Sequence, residues 1–118
     1  MQIETRLSDA LGRYLDLAVS QTKLTAANMA NIDTPGYRTQ GFDFEAEMHK
    51  ALGTLDGQGS QPVHVQDVEG LISRPDGNNV SMDREGLNLA EAQLKFRTGV
   101  ALMRLENQRV MDAIHADK

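Results

Sequence analysis

A chain of 118 residues with 40% hydrophobic residues but only two Tyr, three Phe and no Trp is one domain at most, and any core it builds alone is thin, because aromatics bury the most apolar surface per residue. A net charge of −5 argues against a nucleic-acid binder, which needs clustered Lys and Arg, and the absence of cysteine excludes disulfides and thiolate metal sites. No apolar run approaches the roughly 20 residues that span a bilayer, and "MQIETRLSDALGRYLDL" lacks the basic and apolar regions of a cleaved signal peptide, so a cytosolic chain or one exported uncut is expected.

The first predicted element is a helix over about residues 8–31. Leu11, Leu15, Ala18, Thr22, Thr25, Met29 and Ile32 recur at spacings of three and four and share one stripe. Ser8 is placed as its N-cap. Pro35 ends the helix by pushing Thr34 out of the α region, and Gly36 supplies the positive φ of a type II turn. Residues 37–82 read as an acidic, turn-rich middle segment. Here "GFDFEAEM" and "PVHVQDV" alternate with period two, which predicts short strands. Asp43, Glu45 and Glu47 would line one solvated edge of such a strand. "GTLDGQGSQP" and "RPDGNNV" are turn signals.

The last predicted element is a longer helix over about residues 83–115, with Asp83 as N-cap and Met82 and Leu87 as a hydrophobic staple. Leu89, Phe96, Val100, Met103, Val110 and Ile114 form its stripe. Asn107 interrupts that stripe, and Leu94, Leu102 and Leu105 widen it. At about 1.5 Å per residue this helix spans roughly 50 Å, against roughly 36 Å for the first, so one partner helix does not cover it. The expected fold is mainly α: two long terminal helices paired as an antiparallel, coiled-coil-like unit, with a short extended or β middle segment. Its three parts are residues 1–36, 37–82 and 83–118. Residues 41–79 hold seven acids and two bases, which is the whole net charge, so residues 1–40 and 80–118, which carry the two helices, are each balanced and free to pack closely.

Signals for chemistry are absent. His49, His64 and His115 have no metal-ligand spacing. The stretch beginning at Asp76 fails as a calcium loop, because Val80 replaces an oxygen ligand and Leu87 stands in place of the bidentate Glu. No glycine-rich phosphate loop and no activated nucleophile is marked. No catalytic, cofactor-binding or metal residue is predicted, and neither an enzyme nor a small-molecule substrate is expected.

Two stretches exceed what a generic helical protein needs. "AANMANIDTPGYRTQGFDF" closely resembles the N-terminal signature of the bacterial flagellar rod and hook family, where a helix ending in A-x-N-x-A-N is followed by T-P-G and an aromatic. Ala26, Asn28, Ala30, Asn31, Thr34, Pro35, Gly36 and Tyr37 match it. "DGNNVSMDREGLNLAEAQLKFRTGVALM" is similar to the entry into the C-terminal helix of proximal-rod members, through Asp76, Gly77, Asn78, Val80, Met82, Asp83 and Glu85. The resemblance covers roughly residues 5–48 and 74–115.

It implies a structural subunit of the proximal rod of the flagellar basal body. Such a subunit leaves the cell through the flagellar type III export apparatus without cleavage. It then polymerises helically in the periplasm through its terminal helices, and it transmits torque between the membrane ring and the distal rod. The implied partners are further copies, other rod proteins (FlgC and FlgF-like), a FliE-like adaptor and the membrane ring. The alternatives are the related proximal-rod protein FlgC, or a helical export adaptor or chaperone that does not polymerise.

Asn28 and Asn31 stand three apart beside Ala27 and Ala30. Small residues let a neighbouring helix come close, and amides across such a contact fix its register. The simpler reading is that Asn31 only ends its own helix.

Overall fold

A computed structural model of the chain describes residues 5–55 and 61–116. In chain order the elements are α1 (Arg6–Ala30), β1 (Gln40–Gly41), α2 (Phe44–Gly53), β2 (Gln66–Asp67) and α3 (Met82–His115). The centre of the expected turn-rich stretch, residues 56–60, lies outside the described residues. The molecule is a rod-like body of 69 × 26 × 19 Å.

Both long helices form, each starting slightly earlier than the sequence suggests. Thr5, in extended backbone, is the N-cap of α1, and its hydroxyl accepts the Ser8 amide at 3.0 Å. Ser8 is already helical and so supplies the donor instead of the cap. Ser81 caps α3 in the same way by accepting from the Arg84 amide. Asp83 falls in the first turn, where its charge still complements the helix dipole. The expected staple does not close. Met82 and Leu87 are exposed, and Val80, ahead of the cap, is the residue that is buried.

The pairing of α1 and α3 is antiparallel, and its register can be read from side chains along it. Near the start of α1 the Thr5 hydroxyl donates to Glu106 Oε1 at 2.7 Å, and the Ser8 hydroxyl lies 3.5 Å from Met103 Sδ. Further along, Lys95 Nζ donates to Gln21 Oε1 at 3.3 Å. The buried residues of α3 are Glu85, Ala92, Gly99 and Glu106, spaced seven apart as a coiled-coil seam requires. On α1 the matching line is Leu11, Ala18 and Thr25, with Leu17 and Asn28 also buried.

This seam is made of small and polar residues, and that corrects the expected stripe of α3. Val100, Met103 and Val110 are half-buried, whereas Phe96, Asn107 and Ile114 are exposed. Asn107 therefore does not interrupt a buried stripe. Gly99 shows why the seam has to be small. A Cβ placed there would lie 2.6 Å from Leu15 Cδ2 and 3.1 Å from Tyr14 Cδ1, so any side chain at 99 requires Leu15 to shift.

The middle segment departs most from expectation. "FEAEM", read as alternating strand, is the start of α2. Asp43 caps it by accepting the Ala46 amide at 3.1 Å, and Glu45 and Glu47 sit in a first turn where acids are favoured. A cap plus dipole outweighs a brief alternation that no long partner strand rewards. The strands that do form are two residues each, paired antiparallel with Gln40 opposite Asp67 and Gly41 opposite Gln66.

An aromatic contact holds the start of α2 against α1, and a lysine of α3 reaches over to it. The Phe44 ring meets Tyr14 edge-on at 5.6 Å, Phe42 stacks on it at 6.2 Å, and Lys95 Nζ lies 3.7 Å from its centroid. Glu47 does not line a solvated edge. It is buried and accepts the His64 amide at 2.9 Å, with Lys50 at 3.3 Å. That amide is the main reason its carboxyl sits below the usual range, with Lys50 adding to the effect against the opposing pull of burial.

Candidate assembly site at the end of the first helix

The two signature stretches, some forty residues apart, fold into one polar knot where α1 ends and α3 begins. Its first part is local. Thr34, Pro35, Gly36 and Tyr37 make the expected turn: Gly36 has φ +75° and the Tyr37 amide donates to Thr34 O at 3.2 Å. The chain is thereby aimed back along α1, and the Asn28 side chain meets it there. Asn28 Nδ2 donates to Gln40 O at 2.8 Å, while its Oδ1 accepts from the Gln40 amide at 3.0 Å and from the Tyr37 hydroxyl at 3.0 Å. One amide side chain thus supplies both backbone partners of Gln40, as a neighbouring strand would. With Asn28 only 1% exposed, each of these bonds is sheltered from water.

The second part is the loop before α3. The Arg74 amide donates to Asn78 O at 2.8 Å and the Gly77 amide to Arg74 O at 2.9 Å, with Gly77 at φ +88°. This tight turn lets Gly77 lie against Gly36, and a Cβ at 77 would meet Gly36 Cα at 3.4 Å. Asn78 then caps α1 from outside. Its Nδ2 donates to Asn31 O at 2.9 Å and to Thr34 O at 2.8 Å, and its Oδ1 accepts the Val80 amide at 2.8 Å. The Arg74 guanidinium donates to Ile32 O.

Asn79 holds the strand that follows. Its Oδ1 accepts the Thr39 amide at 2.7 Å and its carbonyl accepts the Thr39 hydroxyl at 3.2 Å, with both residues buried. The Gly36 amide donates to Asp76 O at 2.9 Å, which closes the knot. Such carbonyls at a helix C-terminus have no partner within the helix, and here side chains from the far end of the chain supply one.

Below the knot lies Glu85, fully buried, with Oε1 2.8 Å from an Arg84 guanidinium nitrogen. Burial pushes the Tyr37 phenol above its ordinary range, and the Glu85 charge adds to this. In the knot, side chains bind backbone atoms of segments far apart in the chain. Among the described residues, no group of three His, Cys, Asp or Glu could hold a metal ion, and no helix is long and apolar enough to cross a membrane.

No protein-family model matches the chain. Relatives do. It is 31% identical over 108 residues to the flagellar basal body rod protein FlgB of Yersinia ruckeri, covering 75% of this chain and 79% of that one. It is 30% identical to FlgB of Salmonella typhimurium over 119 residues, with 85% and 86% covered, and 30% identical to FlgB of Cereibacter sphaeroides over 127 residues, with 96% and 99% covered. The chain belongs to the FlgB family of flagellar basal-body rod proteins.

Within this FlgB-family chain the signature residues divide by role. Asn28 and Tyr37 turn inward and bind the knot, whereas Ala26, Ala30, Thr34, Pro35 and Gly36 are exposed. Asn31 does what the simpler reading expects: its Nδ2 donates to Ala27 O at 2.7 Å in its own helix, and its Oδ1 accepts the Thr34 hydroxyl. The expectation that the two amides reach across to a neighbouring helix is corrected in this respect. Asn28 is buried and engaged inside the chain, and the exposed Ala26 and Ala30 lie on the opposite side of α1. The residues that the sequence did not single out, Thr39, Arg74 and Asn79, use side-chain groups whose partners are backbone atoms. The one visible cue was the Asn78-Asn79 pair directly after a Pro-Asp-Gly turn.

Proposed function

We propose that this FlgB-family chain is a proximal-rod subunit that polymerises through α1 and α3 in the periplasm, after export without cleavage, and passes torque between the membrane ring and the distal rod. The proposed neighbours are further copies, FlgC and other rod proteins, a FliE-like adaptor and the membrane ring. The observation that carries this reading is a second apolar stripe on α3. At about 100° per residue, Leu87, Leu94 and Leu105 fall within about 20° of one line, more than about 100° from the buried seam. They are 72%, 66% and 66% exposed, and Leu102 stands beside them. Burying one leucine contributes about 1.5–3 kcal/mol, so a neighbouring helix on this stripe would gain several kcal/mol that the lone chain forgoes.

The test replaces Leu94 and Leu105 together by Glu in the cells that make the protein. Both positions are exposed, so the purified variant should keep its circular dichroism spectrum. Motility should be lost, and the chain should be missing from detergent-extracted basal bodies that contain the unsubstituted protein. A variant that still enters basal bodies and supports swimming sinks the reading. An unsubstituted chain that stays cytosolic favours the adaptor alternative.

A further inference from the structure

Among the described residues, the most exposed large apolar one lies outside both long helices. Ile72 is 92% exposed, in the loop between β2 and the knot. The loop is anchored on both sides: the Val68 amide donates to Thr39 O at 3.0 Å, the Ser73 hydroxyl accepts from Arg38 at 2.8 Å, and Arg74 reaches Ile32 O. Ile72 is therefore a fixed knob, and fixing it costs little further entropy on binding. Three and five residues before it in the chain stand the exposed acids Glu69 and Asp67, the latter accepting from Gln40 Nε2.

On another part of the surface, α1 and α3 leave a largely apolar groove of about 440 Å³ lined by Val19, Thr22, Lys23, Gln93, Phe96 and Arg97. Phe96 is 43% exposed there. Lys23 and Arg97 have no ion-pair partner among the described residues, and neither has Glu69. The groove thus offers an apolar hole with two positive charges, and the loop offers an apolar knob with two acids in its segment, while its flanking Arg38 and Arg74 are drawn back to Ser73, Gly77 O and Ile32 O. The two cannot meet within one molecule. The loop is pinned to the C-terminal end of α1 near Ile32, and Val19 lies about 18 Å back along that helix.

We propose that Ile72 of one copy seats in the Val19–Phe96 groove of a second copy, with Asp67 and Glu69 facing Lys23 and Arg97. This rests on the rod-subunit reading and names one contact within it. A patch that fits a pocket elsewhere on the same molecule makes a head-to-tail contact, and such contacts repeat into open helical arrays rather than closing as dimers. A one-directional stack of copies follows from that geometry.

The chain contains no cysteine, so introduced thiols report cleanly. Two differently tagged full-length chains, one carrying Ile72→Cys and the other Phe96→Cys, are produced together, and basal bodies are extracted and mildly oxidised. A mixed-tag disulfide dimer should form at least tenfold more than when Phe96→Cys is replaced by Leu52→Cys, an exposed control on α2. Adding Lys23→Glu and Arg97→Glu to the groove chain should reduce the yield at least fivefold, and Asp67→Lys with Glu69→Lys on the knob chain should restore it. Equal yields for groove and control, with the chain present in the basal bodies, overturn this contact and leave the rod reading intact. A disulfide from position 72 to a different rod protein overturns the second copy as occupant. Absence of both chains from basal bodies overturns the rod reading, and this contact with it.

Discussion

Replacing Asn28 by Asp changes one atom's chemistry and almost no volume. In the native side chain, Nδ2 donates to Gln40 O at 2.8 Å, and Oδ1 accepts from the Gln40 amide and the Tyr37 hydroxyl. In the variant an acceptor faces the Gln40 carbonyl. The lost bond is worth about 1 kcal/mol and the unsatisfied buried carbonyl about 1–3 kcal/mol more. A negative charge in the last turn of α1 adds about 0.3–1 kcal/mol, while the two remaining donors bind a carboxylate more strongly and offset part of this. The net loss is about 3 kcal/mol at neutral pH.

The loss is conditional on ionisation, because a protonated Asp at 28 has a hydroxyl that can donate to Gln40 O. A penalty of about 3 kcal/mol on the charged form corresponds to a folded pKa about two units above the ordinary 3.9. With the folded value raised, the variant's deficit is complete above about pH 6 and disappears as pH falls toward about 4. Urea unfolding of the variant and the parent, followed by circular dichroism at pH 4 and pH 7, measures the difference directly. A deficit that is flat across that range, or below about 0.5 kcal/mol at pH 7, refutes the claim that the Asn28 amide holds the Gln40 backbone.

Other expectations follow from the same structure. Gly99→Ala should be neutral to about 2 kcal/mol destabilising, because overpacking against Leu15 and Tyr14 offsets the roughly 1 kcal/mol helix gain. Gly86→Ala, where a Cβ meets nothing within 4 Å, should stabilise by up to about 1 kcal/mol; equal effects in thermal melts would contradict the close seam. Asn78→Ala removes the bonds to Asn31 O, Thr34 O and the Val80 amide and should lower stability by about 2–4 kcal/mol, with faster amide exchange at Val80. Glu47 has a lowered folded pKa, so its contribution is present above the ordinary Glu range and fades as pH falls through the folded value. Protection of the His64 amide should therefore persist through the ordinary Glu range and drop only below it in the parent, and Glu47→Gln should remove that dependence.

Much of this molecule can be read without coordinates, and the reason is locality. Spacings of three and four specify α1 and α3 because a helix buries one face per turn. Pro35 and Gly36 specify their turn because few residues tolerate those dihedral angles. The signature stretches were visible as unusual strings for the same reason, and they placed the family. α2 was missed although its cap was in plain view, since a five-residue alternation and a capped helix start look alike until a partner strand is present or absent.

Tertiary structure alone decided the rest. That Asn28 binds Gln40, and Asn78 binds the end of α1, could not be read from residue types, because the acceptors are backbone carbonyls that every residue carries. That α3 buries Glu85, Ala92, Gly99 and Glu106 while leaving Phe96 and its leucines outside follows from how near α1 comes. Close approach favours the smallest side chains at the α3 seam and turns the large ones of that helix outward, against the usual rule that large apolar residues go inside.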